Sequence, residues 1–149
     1  MAYVLTRARN AMLVQEREYV SGVETMMFSG FDSCIGLITR SGSLLNAVHL
    51  VVMDTDCEYF DNVAAASVLN FVKETPYDEA CLIGCLDDWT QGESPKLRAG
   101  FAKLQSGLKH LGKLETHGFD KGTYGAKVRD SKIVFTRLFD KALAAKASR

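Results

Sequence analysis

A cysteine and a histidine stand fifteen residues apart in the run Phe31-Asp-Ser-Cys-Ile-Gly-Leu-Ile-Thr39 and the following Leu44-Leu-Asn-Ala-Val-His-Leu-Val-Val-Met53. Cys34 follows the turn-forming Gly30-Phe-Asp-Ser33, and His49 lies inside an apolar run. Two β-rich runs joined by Arg40-Ser-Gly-Ser43 read as a hairpin, which sets residues of its two arms side by side. Cys34 and His49 are then expected as neighbours. A thiol needs such a neighbour to become a nucleophile, because only the thiolate attacks and an isolated thiol, with a pKa of about 8.5, is mostly protonated at neutral pH. Backbone N–H groups around Ser33 and Cys34 can also hold an oxyanion, a setting that Cys57, Cys81 and Cys85 lack. The plain alternative is a core cysteine acting as a small apolar group, beside a strand histidine satisfied by one hydrogen bond. The combination of turn, thiol and imidazole is what selects Cys34 and His49.

The elements that must position this pair follow from periodicity and punctuation. Residues 11–20 and 22–29 read as strands, from recurring β-branched, aromatic and Met residues with polar ones between. Residues 59–73 carry the helical spacing Phe60, Val63, Ala64, Val68, Phe71 and Val72, with Asp61 at the N-terminus and Pro76 beyond the end. Pro95 after Ser94 opens a second helix, whose stripe Leu97, Phe101, Leu104, Leu108 and Leu111 runs to Gly112. Residues 79–86 and 133–138 read as further strands, and residues 139–146 as a short Ala-rich tail helix. Strands, two helices, then strands again specify a layered α+β domain, mostly antiparallel, with two main helices packed outside. Residues 1–149 are expected to form a single domain, a length sufficient to bury a full core without metal or disulfide.

Composition narrows the function classes. Eighteen acidic residues balance eighteen basic ones, so no bulk charge draws the chain to nucleic acid or to an anionic membrane. Lys96, Arg98, Lys103, Lys109 and Lys113 read as a solvated helix face. No apolar run approaches the roughly 20 residues of a membrane span, and the N-terminus carries no basic-then-apolar signal. Cys81 and Cys85, if both within one strand, would lie about 13 Å apart at about 3.3 Å per residue, too far to pair or to share one metal ion. The four cysteines therefore read as reduced thiols, which suits the cytoplasm of the producing cell or of a target cell. His110 sits near a helix C-terminus and reads as surface.

Ser33-Cys34, a hydrophobic strand, a Ser/Gly turn and Ala47-Val-His49 before a second apolar strand together resemble the CheD-type chemoreceptor glutamine deamidases of bacterial chemotaxis. They also resemble the catalytic domain of the cytotoxic necrotizing factor toxins. The resemblance spans residues 22 to 138, with helices at 60–73 and 95–111 and a closing glycine-containing loop at 115–125 before a strand hairpin. Phe31-Asp-Ser-Cys34 stands where the chemotaxis enzymes have Leu-Gly-Ser-Cys, Val51-Val-Met-Asp54 where they have a Leu-Pro step, and Phe28 at their threonine helper. That leaves Ser29, Thr25 or a backbone carbonyl, the last as in the toxins, to orient His49.

What the resemblance implies is a protein-glutamine deamidase with Cys34 as nucleophile, His49 as base and Ser29 as third element, needing no cofactor and no metal. Ser33, Asp32, His117 and Trp89 are expected on the substrate side, His117 as a substrate-loop residue rather than the base. Trp89, in Asp87-Asp-Trp-Thr-Gln-Gly92, is read either as a packed loop anchor or as a partner contact. The substrate would be a protein bearing a reactive glutamine. Specificity is then expected in the loops at 39–43, 54–58, 87–94 and 116–124. The expected setting is a monomeric bacterial effector or toxin, cytoplasmic in its producer and delivered to a target cell without a cleavable signal peptide. Two alternatives stand beside this: a non-catalytic adaptor or immunity-type partner of the same architecture, and a cysteine hydrolase or transglutaminase using the same pair.

Overall fold

The computed structural model describes residues 3–138, so the tail helix expected at 139–146 lies outside the described residues. Among the described residues the architecture is α+β, with two sheets and three helices. Strands β1 (Thr6–Arg7), β2 (Glu18–Val23), β4 (Ile35–Ser41), β5 (Leu44–Leu50), β6 (Glu79–Gly84) and β7 (Leu114–Gly118) form a six-stranded sheet in the order β1-β2-β5-β4-β6-β7. Its three inner pairings are antiparallel, while β1/β2 and β6/β7 are parallel. A second, antiparallel sheet combines β3 (Thr25–Met27), β8 (Thr123–Arg129) and β9 (Lys132–Leu138) in the order β3-β8-β9.

The expected hairpin is present as β4 and β5, in unbroken register from Ile35↔Leu50 to Ser41↔Leu44. Its arms are apolar on both faces because both faces are covered, which replaces strict alternation with near-continuous hydrophobic runs. One face carries Val48 opposite Tyr19 and Leu37 and looks toward the helices, where Tyr19 packs on Phe71. The other face carries His49 opposite Gly36 and looks toward the second sheet. There Phe28 and Phe31 pack against the imidazole, Phe31 also reaches Tyr124 of β8, and the Ile133 N–H of β9 donates to Glu79.

Helices α1 (Asn62–Lys73) and α3 (Pro95–Leu111) start where their caps predict. The Asp61 carboxylate accepts from the Ala64 N–H, and the Ser94 hydroxyl accepts from the Leu97 N–H. The two helices pack closely at Gly100, where an added Cβ would sit 2.7 Å from both Asp61 C and Phe60 O. Their apolar stripes, Val68, Leu69 and Val72 against Leu97, Phe101, Leu104 and Leu108, belong to one hydrophobic core that also takes in the strands.

Several expected elements differ. The strands read at 11–20 and 22–29 are the shorter β2 and β3, because Arg17 and Gly22 adopt positive φ and the β2 register shifts between Val20 and Val23. The loop read at 115–125 is largely strand, since β7 pairs in parallel with β6. Residues 87–90, read as loop, belong to a short helix α2 (Leu86–Thr90). Cys85 is the N-cap of that helix rather than a residue of β6, and all four cysteines are free.

Candidate active site

Cys34 directly precedes β4 and is 3% exposed. The turn that carries it is fixed on every side. Phe31 exchanges both backbone hydrogen bonds with Gly122, the Cys85 thiol reaches Asp32 O, and the Trp89 indole N–H donates to Ser33 O at 2.8 Å. The Cys85 N–H donates to Cys34 O. This bonding pattern ties the carbonyls of residues 32–34 to Cys85 and Trp89, while the backbone of Asp32 and Ser33 favours the thiolate of Cys34.

His49 is fully buried. Its Nδ1 lies 2.9 Å from Val14 O and 3.4 Å from Ser29 Oγ. A carbonyl only accepts, so Nδ1 carries the proton and Ser29 Oγ shares it as a second, longer acceptor. Burial holds the imidazole pKa below its ordinary value, partly offset by the Val14 carbonyl and by Glu16. The neutral ring therefore presents Nε2 as a bare lone pair, and this buried atom has no hydrogen-bond partner.

Glu16 connects the two residues. Its Oε2 lies 3.7 Å from Cys34 Sγ, and its charge acts on both the thiol and the imidazole. Burial first and the Glu16 charge second push the Cys34 thiol up to about 12, against the pull of the Asp32 and Ser33 N–H groups. The thiol is thus protonated and directed at Glu16, not at His49, and no hydrogen bond joins Sγ to either ring nitrogen.

Glu16 itself is exposed and lines a cleft of about 570 Å³ together with Gln15, Arg17, Glu18 and Ser29. Neither Cys34 nor His49 lines that cleft, but the immediate partner of each does. Glu16 carries no signal in the sequence; it is a charged loop residue brought to the site by the long-range pairing of β2 with β5 and the Val14↔Phe28 bridge.

The remaining residues separate. Trp89 is fully buried between Phe60 and Phe101, which corrects its expected role on the substrate side: it anchors the turn. Asp32 is exposed and pairs with Lys121 at 2.8 Å, on the rim of a different, smaller cleft. Ser33 is half-buried, with its carbonyl held by Trp89. His117 lies on β7, not in a loop, in the row His49-Gly36-Ile83-His117 across the sheet. Two strand spacings and two residues along β4 separate it from Cys34, roughly 12 Å, too far for contact with the thiol. It pairs with Glu115 and packs on Phe119 and Phe135. His110 is exposed, as expected.

No family model matches the chain, and no curated protein matches it in sequence. Among the described residues, no group of three His, Cys, Asp or Glu side chains is arranged to hold a metal ion. No helix among them is long and apolar enough to cross a membrane.

Proposed function

We propose that the protein is a cysteine-dependent amidohydrolase acting on the glutamine side chain of a protein, in a covered resting form. The observation that carries this reading is His49: fully buried, fixed in the Nδ1–H tautomer by Val14 O, with an unpartnered Nε2. Leaving that buried acceptor unpaired costs about 1–3 kcal/mol, a cost that a catalytic use of the nitrogen would explain. A base needs one nitrogen free.

In the reaction, His49 Nε2 takes the Cys34 proton and the thiolate attacks the carboxamide carbon, forming the C–S bond as the carbonyl π pair moves to oxygen. The Asp32 and Ser33 N–H groups hold that oxyanion. Collapse expels ammonia with the proton from His49, and water then attacks the thioester, giving a carboxylate and restoring the thiol. The Val14 carbonyl, with Ser29 behind it, orients the imidazole, in place of the side-chain helper. The protein partner and a role as a bacterial effector belong to this proposal.

One observation favours the second reading, a non-catalytic interaction domain with Cys34 as core: the thiol is 3% exposed and strongly protonated. Ammonia release from the proteins of a cell extract separates the two. The parent protein should release it, Cys34→Ser should abolish the release, His49→Ala should nearly do so, and His110→Ala should leave it unchanged. No release by the parent from any extract would put the non-catalytic reading first.

A further inference from the structure

Glu16 is an exposed side chain that meets the buried thiol, and it does so from the wall of the cleft. A substrate group approaching through that cleft meets its carboxylate before it meets sulfur. A carboxylate is an acceptor only, so the groups it suits are hydrogen-bond donors. A primary carboxamide is one: its NH2 offers two N–H bonds, while its C=O needs donors such as the backbone N–H groups of the turn before Cys34. A carboxylate in the same place offers no donor and meets a like charge.

We infer that Glu16 is the specificity residue of this site: it accepts the S–H of Cys34 at rest, exchanges it for the NH2 of an incoming carboxamide, and repels the carboxylate that the reaction leaves. This rests on the amidohydrolase reading above. Displacing the S–H from Glu16 frees the thiol proton for the unpartnered Nε2 of His49, so the group that is recognised also uncovers the nucleophile. The product, unlike the substrate, is negative beside a negative residue. Release is therefore favoured by the same side chain that selects the amide.

Alkylation of the native protein with iodoacetamide and iodoacetate tests this without a known substrate. The two reagents differ only in carrying a carboxamide or a carboxylate. Rates are read by mass spectrometry at Cys34 and, as an internal standard, at the exposed Cys57 in the same molecules. Arg17 and Glu18 of the cleft stay unchanged, so only the Glu16 charge varies. The amide-to-acid rate ratio at Cys34, divided by that at Cys57, should exceed one in the parent and in the charge-retaining Glu16→Asp. At low ionic strength it should fall on the order of fivefold in Glu16→Gln. Glu16→Ala should speed both reagents by removing the cover. An equal ratio in Glu16→Asp and Glu16→Gln overturns the role of Glu16 and leaves the amidohydrolase reading standing. Cys34 inert to both reagents in the parent and all three variants overturns both.

Discussion

Trp89→Phe tests whether the turn that carries Cys34 is held in place by the short helix behind it. The indole ring is fully buried, packs on Phe60 and Phe101 with centroids 5.1 and 5.8 Å away, and donates to Ser33 O at 2.8 Å. A phenyl ring keeps much of the apolar contact but leaves that carbonyl without its donor, a loss of about 1–3 kcal/mol for a buried group. It also opens a void of roughly 40 Å³, which at about 24 cal/mol per Å³ adds about 1 kcal/mol. The sum, about 2–4 kcal/mol, corresponds to a fall in Tm of roughly 4–16 °C for a chain of this length. Urea titration followed by far-UV circular dichroism reads the loss, since the substitution removes the only tryptophan. Because the same bond fixes the residue before Cys34, alkylation of Cys34 in native buffer should accelerate in parallel. A stability change below about 1 kcal/mol, with Cys34 labelling unchanged, would refute the anchoring argument.

His49 and the helix pair give two further expectations. Burial holds the His49 pKa below its unfolded value of about 6.5, so the unfolded chain binds more protons on acidification. The His49 contribution is therefore fully present above about pH 6.5 and is lost as pH falls toward the folded pKa; the parent should lose stability between about pH 7 and about pH 5 more steeply than His49→Gln, and parallel curves would contradict this. Gly100→Ala drives a methyl group to 2.7 Å from the backbone of Phe60 and Asp61, where no side chain can yield, and should cost about 1–3 kcal/mol in urea unfolding; an unchanged midpoint would mean that α1 and α3 pack less closely.

The parts of the fold legible in the sequence are those whose signals are local. Asp61, Ser94, Pro95 and Gly112 delimit two helices whose stripes repeat cleanly, and Arg40 to Ser43 closes a hairpin whose arms are apolar throughout. The parts that were not legible are set by pairing at a distance. Arg17 and Gly22 at positive φ break an otherwise strand-like run, parallel pairing with β6 makes a strand of a glycine-bounded segment around His117, and a helix as short as α2 has no period to read. Around the candidate site, the hairpin that carries His49 and begins just after Cys34 was legible because turn and strand signals are sequence properties, and Ser29, one of three options the resemblance left open, does meet His49. Glu16 and the Val14 carbonyl were not legible, because neither a charged loop residue nor a backbone oxygen carries a sequence signature of the histidine and thiol it meets. The protonated, covered thiol follows from that meeting. Burial alone raises its pKa, and the adjacent carboxylate raises it further.

If Cys34 attacks glutamine carboxamides as proposed, oxygen from water must enter each product carboxylate. The parent protein and Cys34→Ser are each incubated with a cell extract in heavy-oxygen water, and glutamine side chains converted to glutamate are mapped by mass spectrometry. Hydrolysis of a Cys34 thioester places one heavy oxygen in each new carboxylate, at a small set of glutamines, and only with the parent protein. The same sites converted equally by Cys34→Ser, or no site converted by either protein, would contradict the account.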